Sequence, residues 1–167
     1  MNMLEDIYKK DPFKAWDIIR YLMFRSKILE DISLTKGQLG AVILFCEYSR
    51  FACKPKFEQL ADEQMEYVLH IPDSMPVGLD GLCGIGWGIT YLFKHQFVTG
   101  NPDELLMPLD TLLSNKEPLT EKERHDISLY HGYRQGDNKS EDEILNQIWS
   151  YWNHEYTQNH TSNLGQP

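Results

Sequence analysis

Five glycines stand at positions 78, 81, 84, 86 and 88, in the run GLDGLCGIGWG, and the apolar stretch Ile89 to Phe93 follows directly. The pattern predicts a helix from about Leu79 to His95. Each interior helix glycine costs about 1 kcal/mol relative to alanine. Close approach of another backbone is the usual compensation. Gly81, Gly84 and Gly88 fall at i, i+3 and i+7, one smooth stripe down the helix. Such a stripe admits a neighbouring helix, or equally a ligand or peptide, and packing is the favoured reading. Gly84-x-Gly86-x-Gly88 is not a dinucleotide fingerprint, because its spacing differs and no strand precedes it.

The rest of the chain reads as helix. Asp11-Pro12 is a cap followed by proline at the first helical position, and Phe13, Trp16, Ile19, Leu22, Met23 and Leu29 recur at helical spacing to about Glu30. Thr35 is expected to cap a second helix ending before Pro55. A third runs from about Phe57 to His70, and Pro72 and Pro76 mark a turn. Asn101-Pro102 opens a helix to about Leu113, with Pro108 inside it as a source of kinking. Thr120 with Glu123 and Ser140 with Glu143 are capping boxes. The second opens a final helix whose Leu145, Ile148, Trp149 and Trp152 read as core. No period-2 run reads as a strand. The expected fold class is all-α, one domain over residues 1–156 with a polar, frayed tail over 157–167.

Two segments echo each other. GQLGAVILFCEY, beginning at Gly37, precedes a loop and FEQLADEQMEYVL. GLCGIGWGITYL, beginning at Gly81, precedes a loop and DELLMPLDTLL. Gly37 and Gly40 map onto Gly81 and Gly84, and Asp62 onto Asp110. This is a repeated helix–loop–helix unit that buries its apolar face only against neighbours. A third unit is expected to start near Tyr130-His131-Gly132.

Formal net charge is −9. An acidic surface repels phosphate backbones and anionic membranes, so neither nucleic acid nor membrane is an expected partner. The three cysteines, Cys46, Cys53 and Cys83, do not form a disulfide framework. No stretch has the length of a signal peptide core or a bilayer span. A reducing cytoplasm is the expected compartment.

The pattern GLCGIGWGITYLF, with the upstream GQLGAVILFCEY and the downstream DELL…LD helix, resembles the lanthionine synthetase C-like family over roughly Leu34 to Leu113. That resemblance implies an α/α toroid whose inner helices open on Gly-x-x-Gly motifs. Two or three antiparallel helical hairpins would make an arc of that toroid. Family cyclases hold zinc through two cysteines and a histidine, in Trp-Cys-x-Gly and Cys-His-Gly contexts. Here Tyr130-His131-Gly132 has tyrosine where cysteine belongs, and no Trp-Cys pair occurs. Losing the thiolates removes the metal chemistry that activates a substrate cysteine. The leading expectation is therefore a non-catalytic module without cofactor. It would bind a peptide or protein partner, or a second copy of itself, in the setting of ribosomal peptide modification. Gly81, Gly84, Trp87 and Gly88 would form the binding surface. One alternative is a zinc-dependent thioether-forming cyclase with an atypical site at Cys83 and His131. Another is a carbohydrate-active toroid fragment using Asp103 or Asp110.

Other constellations are less demanding. His125, Asp126 and His131 lack the i, i+4 spacing of helical zinc motifs and read as surface polar residues. Cys83 and His95 lie roughly 18 Å apart along one helix and cannot form a nucleophile–base pair. Asp103 and Glu104 sit in a helix first turn, where the macrodipole favours acids whatever the function.

Overall fold

In a computed structural model describing residues 2–117 and 119–164, the chain forms eight helices and no strand among the described residues. They are α1 (Met3–Lys10), α2 (Pro12–Arg25), α3 (Gln38–Ala52), α4 (Lys56–Val68), α5 (Leu82–Lys94), α6 (Pro102–Ser114), α7 (Glu121–Arg134) and α8 (Glu141–Leu164), with a 3-10 turn at Ser26–Ile28 after α2. The all-α class holds. No helix among the described residues is long and apolar enough to cross a membrane.

Four helix starts follow from side-chain caps. The Asp11 carboxylate accepts from Lys14 N, and Pro12 follows at the first position. Asn101 accepts from Asp103 N ahead of Pro102. Thr120 and Glu123 make the full reciprocal capping box. α1 was not expected from sequence. It has only two turns, and the Asn2 side chain caps it by accepting from Glu5 N.

α3 and α5 are the hydrophobic centre. Every residue of α3 from Gln38 to Ser49 is buried, and so is every residue of α5 from Leu82 to Leu92. A helix apolar all round belongs in the interior. α4 folds back on α3 across residues 53–55, where Cys53 adopts the left-handed conformation that ends α3. α6 and α7 both pack on α5, and α3 packs on α5. α1 and α2 cover α3, and α8 packs on α1 and α2, so the last helix meets the first two. In α8, Ile144, Leu145, Ile148, Trp149 and Trp152 are buried as expected.

Four expectations need correction. Thr35 does not cap α3: that helix begins at Gln38 with Gly37 at its N-cap position. α2 buries Ala15, Ile18, Ile19 and Leu22, while Phe13 is 84% exposed. Gly132 does not open a third unit, because it lies in the last turn of α7. The expected tail is not frayed at residue 157, since α8 continues to Leu164. Residues 165–167 lie outside the described residues.

Candidate functional site

The glycine run is a wrap, in which the chain folds over the start of its own helix. α5 starts at Leu82, so Gly81 is the N-cap and Gly84 the third helical residue. The preceding loop curls back over that first turn. The carbonyls of Pro76, Val77 and Gly78 accept from the amides of Leu82, Cys83 and Gly84 at 2.8, 3.0 and 3.4 Å. Donors that a helix N-terminus leaves unpaired are thus satisfied by its own loop. The wrap is possible only because side chains are missing. A methyl on Gly81 would lie 1.9 Å from the Pro76 carbonyl oxygen, and one on Gly84 would lie 2.0 Å from that of Leu79.

The first unit repeats the device. Gln38 N donates to the Asp31 carbonyl at 2.8 Å. A methyl on Gly37 would meet Ser33 N at 2.3 Å, and one on Gly40 the Leu34 carbonyl oxygen at 2.3 Å. Leu34, carried on that loop, also packs against Gly84 and Gly88. The Gly-x-x-Gly echo therefore records a repeated loop-over-helix closure. Gly81, Gly84 and Gly88 are buried and Trp87 is fully buried. They present no surface to a ligand, which corrects their reading as a binding face.

Trp87 anchors an aromatic column. Its ring stacks on Tyr133 at 4.6 Å and on Tyr91 at 5.6 Å. Its Nε1 donates to Ser140 Oγ at 3.1 Å, engaging the hydroxyl read from sequence as a cap. Gly86 has its own reason: a methyl there would strike the Tyr130 ring at 2.5 Å.

Cys83 is fully buried, and burial together with the Asp126 and Glu123 charges pushes its thiol up to about 12. It is not a thiolate at neutral pH. His131 is exposed on α7, against the Tyr130 ring. No three of the described His, Cys, Asp and Glu side chains gather at metal-ligand spacing. Asp126 has a different task. It is buried, and its carboxylate accepts from Leu79 N at 3.1 Å, pinning the wrapping loop to α7.

Asp103 and Asp110 do come together, through Arg134. One guanidinium nitrogen binds Asp103 and the other binds Asp110, while Tyr130 donates to Asp110 at 3.0 Å. Burial works against the Arg134 charge, but its bonds to Asp110 and Asp103 outweigh that and raise its pKa. The two aspartates share one arginine, which clamps α6 to α7.

A second polar group lies at the foot of the aromatic column. Glu141 accepts from Tyr133 at 2.8 Å and lies 2.8 Å from His95 Nε2. Burial raises the Glu141 pKa, but the His95 and Tyr133 bonds outweigh it, and the carboxyl sits below its usual range. A depressed folded value contributes stability above the unfolded pKa, and that contribution is lost as pH falls through the folded one. The melting temperature should therefore drop on acidification below about pH 4.3. The drop should be shallower in Glu141→Gln, which melts lower than wild type at neutral pH. Equal acid slopes in thermal melts of the two proteins would contradict the assignment.

One surface feature lay outside the sequence reading. Phe13, Phe24 and Ile28 are 84, 69 and 73% exposed along α2 and its following turn. Phe13 and Phe24, eleven residues apart, share a helix face. Phe24 and Ile28 also line a groove of about 360 Å³ with Tyr21, Tyr156 and His160. Asp17, Arg20 and Arg25 form its polar walls. The periodicity that counted Phe13 with the core concealed this edge. Against known proteins, no family model, no curated protein and no solved structure matches this chain.

Proposed function

We propose that this chain is a non-catalytic helical module that binds a peptide or partner protein through the apolar edge of α2. The observation that carries this reading is the exposure of Phe24 and Ile28 at the α2–α8 groove, with Phe13 exposed on the same face of α2. Large apolar side chains grouped at a groove with charged walls are the usual make-up of a protein contact. Three of the candidate catalytic groups favour the same reading, since they are already engaged: Cys83 in the core, Asp103 and Asp110 on Arg134. The likeness of GLCGIGWGITYLF to lanthionine synthetase C-like proteins supports a hairpin arc of that kind. It makes a ribosomal peptide undergoing modification the first partner to test. Free Cys46, Cys53 and Cys83 suit a reducing compartment such as the cytoplasm.

A photoreactive phenylalanine analogue placed at position 24, in cells that make the protein, should give one dominant adduct. The same analogue at Glu121, exposed on α7, should not. An adduct of twice the 19.6 kDa chain mass identifies a second copy as the partner. Equal yields from the two positions would count against the α2 edge. Phe24→Ser should leave the melting temperature within a degree or two of wild type, because the side chain is exposed.

A further inference from the structure

The 26–30 segment has the apolar groove on one side and a larger cleft on the other. This cleft, about 870 Å³, lies between that segment and α4. Glu30, Asp62, Glu63 and Glu66 line it, against Lys27 as the one lysine or arginine. Acidic side chains on an acidic protein are by themselves a solvated surface. Two further residues set this cleft apart.

Gln38 and Gln64 also line it, and each is only 6% exposed. The Oε1 atom of each is buried and has no hydrogen-bond partner. In Gln38 the amide orientation is fixed, because Nε2 donates to the Leu29 carbonyl and so its oxygen is the unpaired end. Buried acceptors are nearly always paired, and leaving one unpaired is costly. Two of them at one acidic cleft are matched by a ligand that brings N–H donors and positive charge. The carboxylates do not converge at metal-ligand spacing.

We infer that this cleft binds an extended cation rich in N–H donors, either the guanidinium of an arginine side chain in a peptide or a free polyamine. Gln38 and Gln64 supply buried acceptors, and the α4 carboxylates supply the attraction. A guanidinium offers five donors in a planar fork, and amide oxygens and carboxylates are both acceptors for it. The site is independent of the α2–α8 groove, and either can fail without the other.

The test is calorimetric titration of the full chain with a blocked peptide carrying two arginines and, separately, with spermidine, at low and high salt. Saturable binding of the peptide supports the site and assigns it to a protein ligand. Saturable binding of spermidine alone supports it and assigns it to a small amine. Gln64→Leu should weaken either by about tenfold, the worth of a charge-assisted bond. The free variant should also melt above wild type, because an apolar side chain replaces an unpaired acceptor. Glu66→Gln, a change at an exposed position, should weaken binding about twofold and flatten its salt dependence. Phe24→Ser should leave both titrations unchanged. No binding of either probe to folded wild type overturns the inference. So does binding that Gln64→Leu leaves unaltered and salt alone removes, since that is attraction to net charge.

Discussion

Gly84→Ala is expected to cost about 3 kcal/mol or more, at the upper end of overpacking substitutions. The added methyl would lie 2.0 Å from the Leu79 carbonyl oxygen, with Leu34 Cβ at 3.2 Å behind it. A side chain could swing away, but a backbone carbonyl held on both flanks cannot. Leu79 N is bound to the buried Asp126, and the neighbouring carbonyls of Pro76, Val77 and Gly78 cap the first turn of α5. Relieving the clash means lifting the loop and uncapping the helix together. In a chain of this size that corresponds to a fall in melting temperature of about 6–12 °C. The control is Gly132→Ala in α7, where the nearest atom to a new methyl is Asp137 Cβ at 3.9 Å. There the helix propensity of alanine dominates, and the change should be neutral or stabilising by up to about 1 kcal/mol. Urea unfolding of both variants separates the cases. Equal free-energy changes would show that the wrap does not constrain Gly84.

Trp87→Ala should cost about 3–5 kcal/mol, the range for removing a fully buried aromatic side chain. Three elements lose a contact at once. Tyr91 lies on the same helix, Tyr133 belongs to α7, and Ser140 precedes α8. Trp87→Phe keeps most of the stack and deletes only the indole N–H. It should cost about 1–2 kcal/mol, since the half-buried Ser140 hydroxyl retains access to water. Chemical unfolding with near-UV dichroism measures both. An alanine variant as stable as wild type would return Trp87 to the surface role its sequence context suggested.

The parts of the fold that were legible in the sequence are those decided by one or two neighbouring residues. Asp11-Pro12, Asn101-Pro102 and Thr120 with Glu123 each fix a helix start, because the cap and the first turn are local. Long apolar patterns, as in α3, α5 and α8, are legible for the same reason. Gly37 was harder. Thr35 is the better cap by residue type, yet the backbone passes so close to Ser33 that only glycine fits at the true start. The repeat of Gly37 and Gly40 at Gly81 and Gly84 was visible, while its purpose was not. The groups that close over these glycines are loop carbonyls, which carry no sequence signature of their own.

The candidate sites follow the same division. Asp103 and Asp110 were singled out as a carboxylate pair, but Arg134, the residue that joins them, is twenty-four positions beyond Asp110. Tyr133, His95 and Glu141 came together where α7 and the first residue of α8 meet the end of α5. Phe13 was counted with the core because its spacing fits one face of α2. The face that is buried instead carries Ala15, Ile18, Ile19 and Leu22, and helical periodicity does not distinguish an apolar residue that packs from one left for a partner. The acidic cleft rests on two glutamines whose unpaired oxygens appear only once their surroundings are in place.

The central claim is that the glycine stripe is closed by its own chain, and Cys83, whose amide donates to the wrapping loop at Val77, is the reporter. Its thiol is fully buried, whereas Cys53 is exposed at the end of α3. Thiol titration of the native protein with an aromatic disulfide reagent, followed in time with site identification by mass, reads both. The closed stripe predicts one fast thiol at Cys53 and modification of Cys83 only at the rate of unfolding. Rapid labelling of Cys83 in the folded protein would mean that the wrap is open in the native state and would contradict the closed stripe.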